Sequence, residues 1–193
     1  MSTKDLILDT AEDLFNHHGY THVGVDLIRD TSGVSKTTIY RYFSDKDGLI
    51  LATLNRRHKR FSDSLSSSVN KVDGVERKLL SLLSWHYEWF GSERFDGCMF
   101  MHALSEFKSR NKDICDMALE HKSWVKDFIR SILKENKQLY HDSKVDIIMN
   151  TIEGLIITAE FYDKPPSIKT FEYTFHHIVN SSITSLKYSR PEL

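Results

Sequence analysis

The chain has 193 residues, 40% of them hydrophobic and 27% charged, with a formal net charge of −1. This is an ordinary globular composition, with enough residues to bury a sizeable core as one domain or as a small domain beside a larger one. A near-zero net charge excludes a general basic field, so an anionic partner would have to meet a local patch.

Helical periodicity runs through almost the whole sequence and strand-like alternation is scarce, which predicts an all-α fold. Leu6, Ile7, Thr10, Ala11, Leu14 and Phe15 form the stripe of a first helix over Thr3 to His18, closed by Gly19. A short second helix fits Val25 to Ser32. Gly33 turns the chain, and Ser35 is the N-cap of a third short helix, Lys36 to Phe43. Ser44-Asp45 is a further cap signal, starting a helix through Leu49, Ile50, Ala52 and Leu54 towards Phe61. The Ser-rich stretch Asp63 to Gly74 reads as a loop or frayed helix end, and divides the chain into residues 1–62 and 63–193. Five more helices are readable, at Val75 to Phe90, Cys98 to Ser109, Lys112 to Glu135, Ser143 to Phe161 and Ile168 to Lys187. The tail YSRPEL reads as frayed.

Two cysteines, Cys98 and Cys115, form no CxxC pair, and MSTKDLILD has no apolar signal core. Free thiols in a reducing cytoplasm are expected. No run of about 18 apolar residues suggests a membrane span.

Charge is unevenly spread. Before Ser35 stand Asp5, Asp9, Glu12, Asp13, Asp26 and Asp30 against Lys4 and Arg29. From Lys36 to Arg60 the balance reverses. Two short helices joined by a turn containing glycine make a helix-turn-helix, whose second helix enters the major groove of DNA. On that helix Lys36, Thr37, Tyr40 and Arg41 share one face at about 100° per residue. Thr38 and Tyr42 flank it, while Ile39 and Phe43 point back to the other helices. Arginine bonds guanine bidentately and threonine meets a base edge or a thymine methyl, whereas tyrosine hydroxyls and lysines suit phosphates. Lys46, in the first turn of the next helix, fits a phosphate clamp.

The stretch ILDTAEDLFNHHGYTHVGVDLIRDTSGVSKTTIYRYFSDKDGLI resembles the DNA-binding domain of the TetR (tetracycline-repressor-like) family of bacterial transcriptional regulators. The resemblance rests on Ala11, Phe15, Gly19 and Tyr20, on the turn Gly33-Val34-Ser35, on Lys36 to Phe43, and on Lys46 with Leu49. It implies a homodimer in which an N-terminal three-helix domain reads a double-stranded DNA operator and a C-terminal helical domain binds a small-molecule effector and dimerises. It also implies that Lys36, Thr37, Thr38 and Arg41 face bases while Tyr40, Tyr42 and Lys46 hold phosphates. At the start of the second helix the chain departs from the common pattern: Val23-Gly24-Val25-Asp26 lacks the usual cap hydroxyls and basic residue, leaving Gly24 as the N-cap.

In the second part, Trp85, His86 and Trp89, then Phe100, Met101, His102 and Phe107, form an aromatic and Met-bearing cluster suited to an adaptable apolar pocket. His102 and Glu106 have a helical i, i+4 spacing, but no third ligand accompanies them, so neither a metal nor a cofactor is expected. The last two helices are apolar over much of their circumference, more than one buried stripe requires. Ile148, Ile152, Leu155, Phe171, Phe175, Ile178 and Val179 are the expected positions of a two-fold, four-helix interface, as in the family. No Gly-rich phosphate loop, nucleophile elbow or metal spacing supports an enzyme. The expectation is a repressor, released from a pseudo-palindromic operator by a small-molecule inducer.

Overall fold

The computed structural model describes residues 1–162 and 167–181. Among these the chain forms nine helices and no strands: α1 Thr3–His18, α2 Val25–Ser32, α3 Lys36–Phe43, α4 Lys46–Val69, α5 Val75–Phe90, α6 Met99–Phe107, α7 Lys112–Lys134, α8 Asp142–Phe161 and α9 Ile168–Asn180. The predicted extension of the last helix to Lys187 and the tail YSRPEL lie outside the described residues.

The first bundle is assembled by α1, α2, α3 and the beginning of α4. Ser2 and Asp5 close a capping box on α1, and the helix turns Ile7, Leu8, Ala11 and Phe15 inward. They meet Ile28 from α2, Ile39 and Phe43 from α3, and Leu49, Ile50 and Leu54 from α4, all buried. Burial of such apolar faces is what holds helices as short as α2 and α3, which are too short to persist alone.

The Ser-rich stretch is a correction to the sequence reading. α4 continues unbroken past residue 62 to Val69, because Phe61, Leu65 and Val69 recur every four residues and are all buried. Their burial overrides the weak helix preference of Ser64 and Ser66 to Ser68. A single helix therefore joins the first bundle to the second. There α5, α6 and α8 pack around α7, whose buried stripe Ile114, Ala118, His121, Val125, Ile129 and Ile132 runs its length, and α9 packs on α5 and α8. Lys144, buried near the start of α8, donates to the Val179 carbonyl at 2.6 Å and ties α8 to the end of α9.

No described helix is long and apolar enough to cross a membrane.

Candidate nucleic-acid interface and buried cavity

The mounting of α3 follows from local chemistry. Gly33 takes a left-handed conformation (φ 69°, ψ 7°), and its N–H closes α2 by donating to the Arg29 carbonyl at 2.8 Å. The Ser35 hydroxyl accepts from the Thr38 N–H at 3.2 Å and caps α3. With Ile39 and Phe43 buried, the helix turns Thr37, Tyr40, Arg41 and Tyr42 to solvent. The Arg41 guanidinium lies 5.5 Å from the Tyr42 ring centroid, a cation–π contact that fans the two side chains together.

Lys36 and Thr38 are placed differently. Lys36 Nζ is 2.7 Å from an Asp26 carboxylate oxygen, and Arg29 reaches the same carboxylate at 2.6 Å. The negative charge at the start of α2 is thus matched by two cations of the same motif. Thr38 Oγ1 is 2.9 Å from Ser35 Oγ and belongs to the cap. Gly24 is the N-cap of α2, with no side-chain bond to it.

α3 passes to α4 through a γ-turn of the rarer hand centred on Ser44 (φ 63°, ψ −52°), in which the Asp45 N–H donates to the Phe43 carbonyl at 2.7 Å. Asp45 then caps α4 by accepting from the Gly48 N–H at 2.7 Å. Lys46 follows at once. Its Nζ donates to the Thr21 carbonyl at 3.4 Å, and partial burial lowers its pKa, with Asp47 and Glu106 opposing.

Several contacts join this bundle to the rest of the chain, among them Asn16 donating to the Arg94 carbonyl at 3.0 Å and Asn111 to Asp47 at 2.9 Å. Glu12 of α1, buried, receives Arg56, Arg57 and Arg60 of α4. Tyr20 donates its hydroxyl to the Met99 carbonyl at 2.9 Å, and burial pushes that hydroxyl well above the ordinary tyrosine range. Glu106 of α6 accepts from the Tyr20 and Thr21 N–H groups at 3.0 and 2.7 Å. Burial opposes the charge of Glu106, but the bonds from Thr21 and Tyr20 hold its carboxyl below the usual range.

Within the second bundle, α4, α5, α6, α7 and α8 enclose a cavity of about 10 Å³. His86, Trp89 and Phe100 line it, together with Arg57, Phe61, His121, Lys122 and Glu153. Trp85 lines a neighbouring cleft of about 150 Å³, which shares Arg57, Phe61 and Trp89 with the cavity. The other residues of the aromatic cluster lie elsewhere. Phe107 packs edge-on against Tyr20 at 5.8 Å, His102 bonds Glu160 at 3.0 Å, and half-buried Met101 packs on the core. Glu106 faces the Tyr20 backbone and not His102. Among the described residues no group of three or more His, Cys, Asp or Glu is placed to hold a metal ion.

The cavity wall is electrostatically closed. Lys122 Nζ lies 2.9 Å from both Glu153 oxygens and 3.2 Å from Cys98 Sγ. Burial alone would weaken its charge, but Cys98 and Glu153 raise its pKa. His121 stacks on Phe100 with centroids 3.6 Å apart, and its Nδ1 is 3.0 Å from Nδ1 of His58 on α4. Burial, aided by Lys122, pushes the pKa of His121 down to about 2, and burial pushes that of His86 to about 4, so both rings are neutral.

Sequence reasoning passed over Arg57, Phe61, His121, Lys122 and Glu153. One signal was available: His121 sits in the apolar stripe between Ala118 and Val125, where a polar ring must be buried.

Ile148, Ile152, Leu155, Phe175 and Val179 are buried inside the protomer, and Phe171 and Ile178 are half-buried against the same core. α8 turns a different stripe outward, Ile147, Asn150, Gly154, Ile157 and Phe161, at alternating spacings of three and four.

The described residues thus form an N-terminal helix-turn-helix joined by one long helix to a cavity-bearing helical bundle. A family model described as bacterial regulatory proteins of the tetR family matches residues 7–53. The HTH-type transcriptional repressor AcnR of Corynebacterium diphtheriae is 25% identical over 153 residues, 78% of this chain and 75% of its own. An uncharacterized HTH-type transcriptional regulator of Mycobacterium tuberculosis is 33% identical over 79 residues, 40% of this chain, and the chain spans about two-fifths (39%) of that relative's length. A TetR-family transcriptional regulator from Streptomyces coelicolor shares the fold at a TM-score of 0.80 and 23% identity, covering 92% of this chain and 86% of its own. Residues 7–53 are thus similar to the tetR family, and the chain shares its fold with TetR-family structures.

Proposed function

We propose that the protein is a transcriptional repressor which binds a pseudo-palindromic operator as a homodimer and is released by a small-molecule inducer. The observation that carries this reading is the solvent-facing row Thr37, Tyr40, Arg41 and Tyr42 on a helix fixed by Ile39 and Phe43, within the family-matched residues. Thr37 and Arg41 read base edges. Tyr40, Tyr42 and Lys46 hold phosphates. Lys36 reaches DNA by exchanging its bond with Asp26, and Thr38 orders the start of the helix. Residues 1–62 form the DNA-binding domain and residues 63–193 the ligand-binding and dimerisation domain, with α4 as the shared strut.

The contacts between the bundles supply a route for release. Arg57 touches both the cavity and Glu12, and α6 carries both the cavity residues Met99 and Phe100 and the carbonyl and carboxylate that hold Tyr20 and Thr21. A molecule entering this space of about 10 Å³ presses on the helices that wall it, α4 and α6 among them, and the first bundle turns with them. A coupling of about 1–3 kcal/mol is typical of such linkage. For the dimer, the stripe Ile147, Ile157 and Phe161 with exposed Gly154 suits a helix pair packing against its two-fold copy.

Two substitutions separate base reading from phosphate holding. Arg41→Ala is expected to weaken operator binding by ~1–3 kcal/mol and to relax preference at one base position. Lys46→Ala is expected to weaken all sequences alike and to lower the salt slope by about one. Binding isotherms on operator and scrambled duplexes at several salt concentrations check both; unchanged binding in both variants refutes the assignment of this face. Ile157→Arg is expected to convert dimer to monomer in sedimentation equilibrium, since it places a charge in an apolar seam.

A further inference from the structure

The cavity says what kind of molecule it takes. This inference rests on the inducer reading above and concerns the same site. His86 and Trp89 stand on consecutive turns of α5, ring centroids 6.2 Å apart. Nδ1 of His86 faces the Leu82 carbonyl at 2.8 Å, so Nδ1 carries the proton and Nε2 presents a bare lone pair. Nε2 is buried and has no partner among the described residues; neither has the buried Nε1–H of Trp89. Two residues of the cavity wall thus supply one unpaired acceptor and one unpaired donor. Buried polar atoms are paired as a rule, so an unpaired pair marks a place for a ligand's polar group.

We propose that the inducer is a neutral hydroxyl compound of single-ring, phenol-like size, whose O–H donates to His86 Nε2 and whose oxygen accepts from Trp89 Nε1–H.

A hydroxyl is the group that both donates and accepts through one atom. A carboxylate or phosphate has only lone pairs and would set one against Nε2. Lys122, the cation of the cavity wall, is already held by both oxygens of Glu153. An ammonium has no lone pair for the indole N–H. His86, whose pKa burial lowers to about 4, stays an acceptor at neutral pH. Size follows from the neighbouring cleft of about 150 Å³, lined by the rings of Phe61, Trp85 and Trp89 and by Arg57 and Arg60, which shares Arg57, Phe61 and Trp89 with the cavity. An apolar cavity of about 150 Å³ accommodates one benzene ring. Rotation of Phe61 would open the cleft into the cavity, where Phe100 and the stacked His121 give a ring flat aromatic faces.

The test is calorimetric titration of the full chain with 4-ethylphenol, 4-ethylanisole, ethylbenzene and 4-ethylbenzoate. The phenol is expected to bind at least about tenfold tighter than the ether or the hydrocarbon, with no binding of the benzoate. Trp89→Phe should cost the phenol about tenfold and leave ethylbenzene unchanged, and His86→Leu should erase the preference for phenol over ether. The four-ligand series needs no variant, so a misfolded mutant does not blunt the test. Equal or tighter binding of the ether or the benzoate, or no binding of any of the four, overturns the proposal. A promoter footprint run in parallel separates the two readings: release from DNA by benzoate and not by phenol leaves the repressor standing and removes the hydroxyl, whereas phenol binding without any footprint does the reverse.

Discussion

Gly48→Ala is expected to cost about 3 kcal/mol of stability and to abolish operator binding at concentrations where the native protein is saturated. A Cβ at Gly48 would lie 2.1 Å from the Phe43 carbonyl oxygen and 3.3 Å from its carbonyl carbon, both backbone atoms that cannot swing aside. The Phe43 carbonyl is already fixed as the acceptor of the Ser44 γ-turn, with Ser44 held at a positive φ. Relief requires that turn to open. Opening it shifts Phe43, the anchor of α3, and releases the Asp45 cap bonded to the Gly48 N–H. The damage thus converges on the junction between the helix proposed to read bases and the strut that carries it. Gly24→Ala is the control: a Cβ there meets nothing within 4 Å, so it should cost only the about 0.5–1 kcal/mol by which alanine is the poorer N-cap. Urea unfolding and an operator titration of both variants check this. If Gly48→Ala unfolds at the native midpoint and binds DNA normally, the turn is not the constraint described.

That constraint shows where the sequence stops speaking. The short helices α2 and α3 were legible to the residue, because Gly33, Ser35 and the Ser44-Asp45 pair are chemical stop and start signals whose effect is local. Gly48 was not, because its need arises from a backbone oxygen folded back by a turn of uncommon hand. The Ser-rich end of α4 misled for a related reason: composition pointed to a loop, while Leu65 and Val69 found a partner surface that only the tertiary fold provides. The apolar surplus of α8 divides between two stripes: Ile148, Ile152 and Leu155 went into the protomer's own core, and a sparser row of Ile147, Gly154, Ile157 and Phe161 faces outward. The cavity was half visible. His86, Trp89 and Phe100 were found from local clustering, whereas Lys122 and Glu153 come together from helices 31 residues apart in sequence.

Acidification from pH 7 to 4.5 is expected to remove on the order of 5 kcal/mol of folding free energy, most of it through His86 and His121. Both are buried, with folded-state values pushed down to about 4 and about 2 by the loss of hydration. An unfolded histidine titrates near 6.5. Above that pH neither state holds a proton and the rings contribute no pH dependence. Below it the unfolded chain takes up a proton on each ring that the folded chain refuses, so stability falls as pH falls, by about 1.4 kcal/mol per unit for each histidine. The surroundings enforce the refusal: Lys122 and Arg57 stand beside His121, and His58 already meets its Nδ1 at 3.0 Å, where two protonated rings would set donor against donor. A domain of ordinary stability, about 5–15 kcal/mol, is left marginal by such a loss. Urea unfolding followed by tryptophan fluorescence at pH 7, 6, 5 and 4.5 measures the slope. His121→Phe keeps an aromatic face against Phe100 and should reduce the slope by about 1.4 kcal/mol per unit, roughly half. An unchanged slope in that variant would mean that His121 accepts its proton in the folded state, and that the cavity wall is wetter and more mobile than its packing implies.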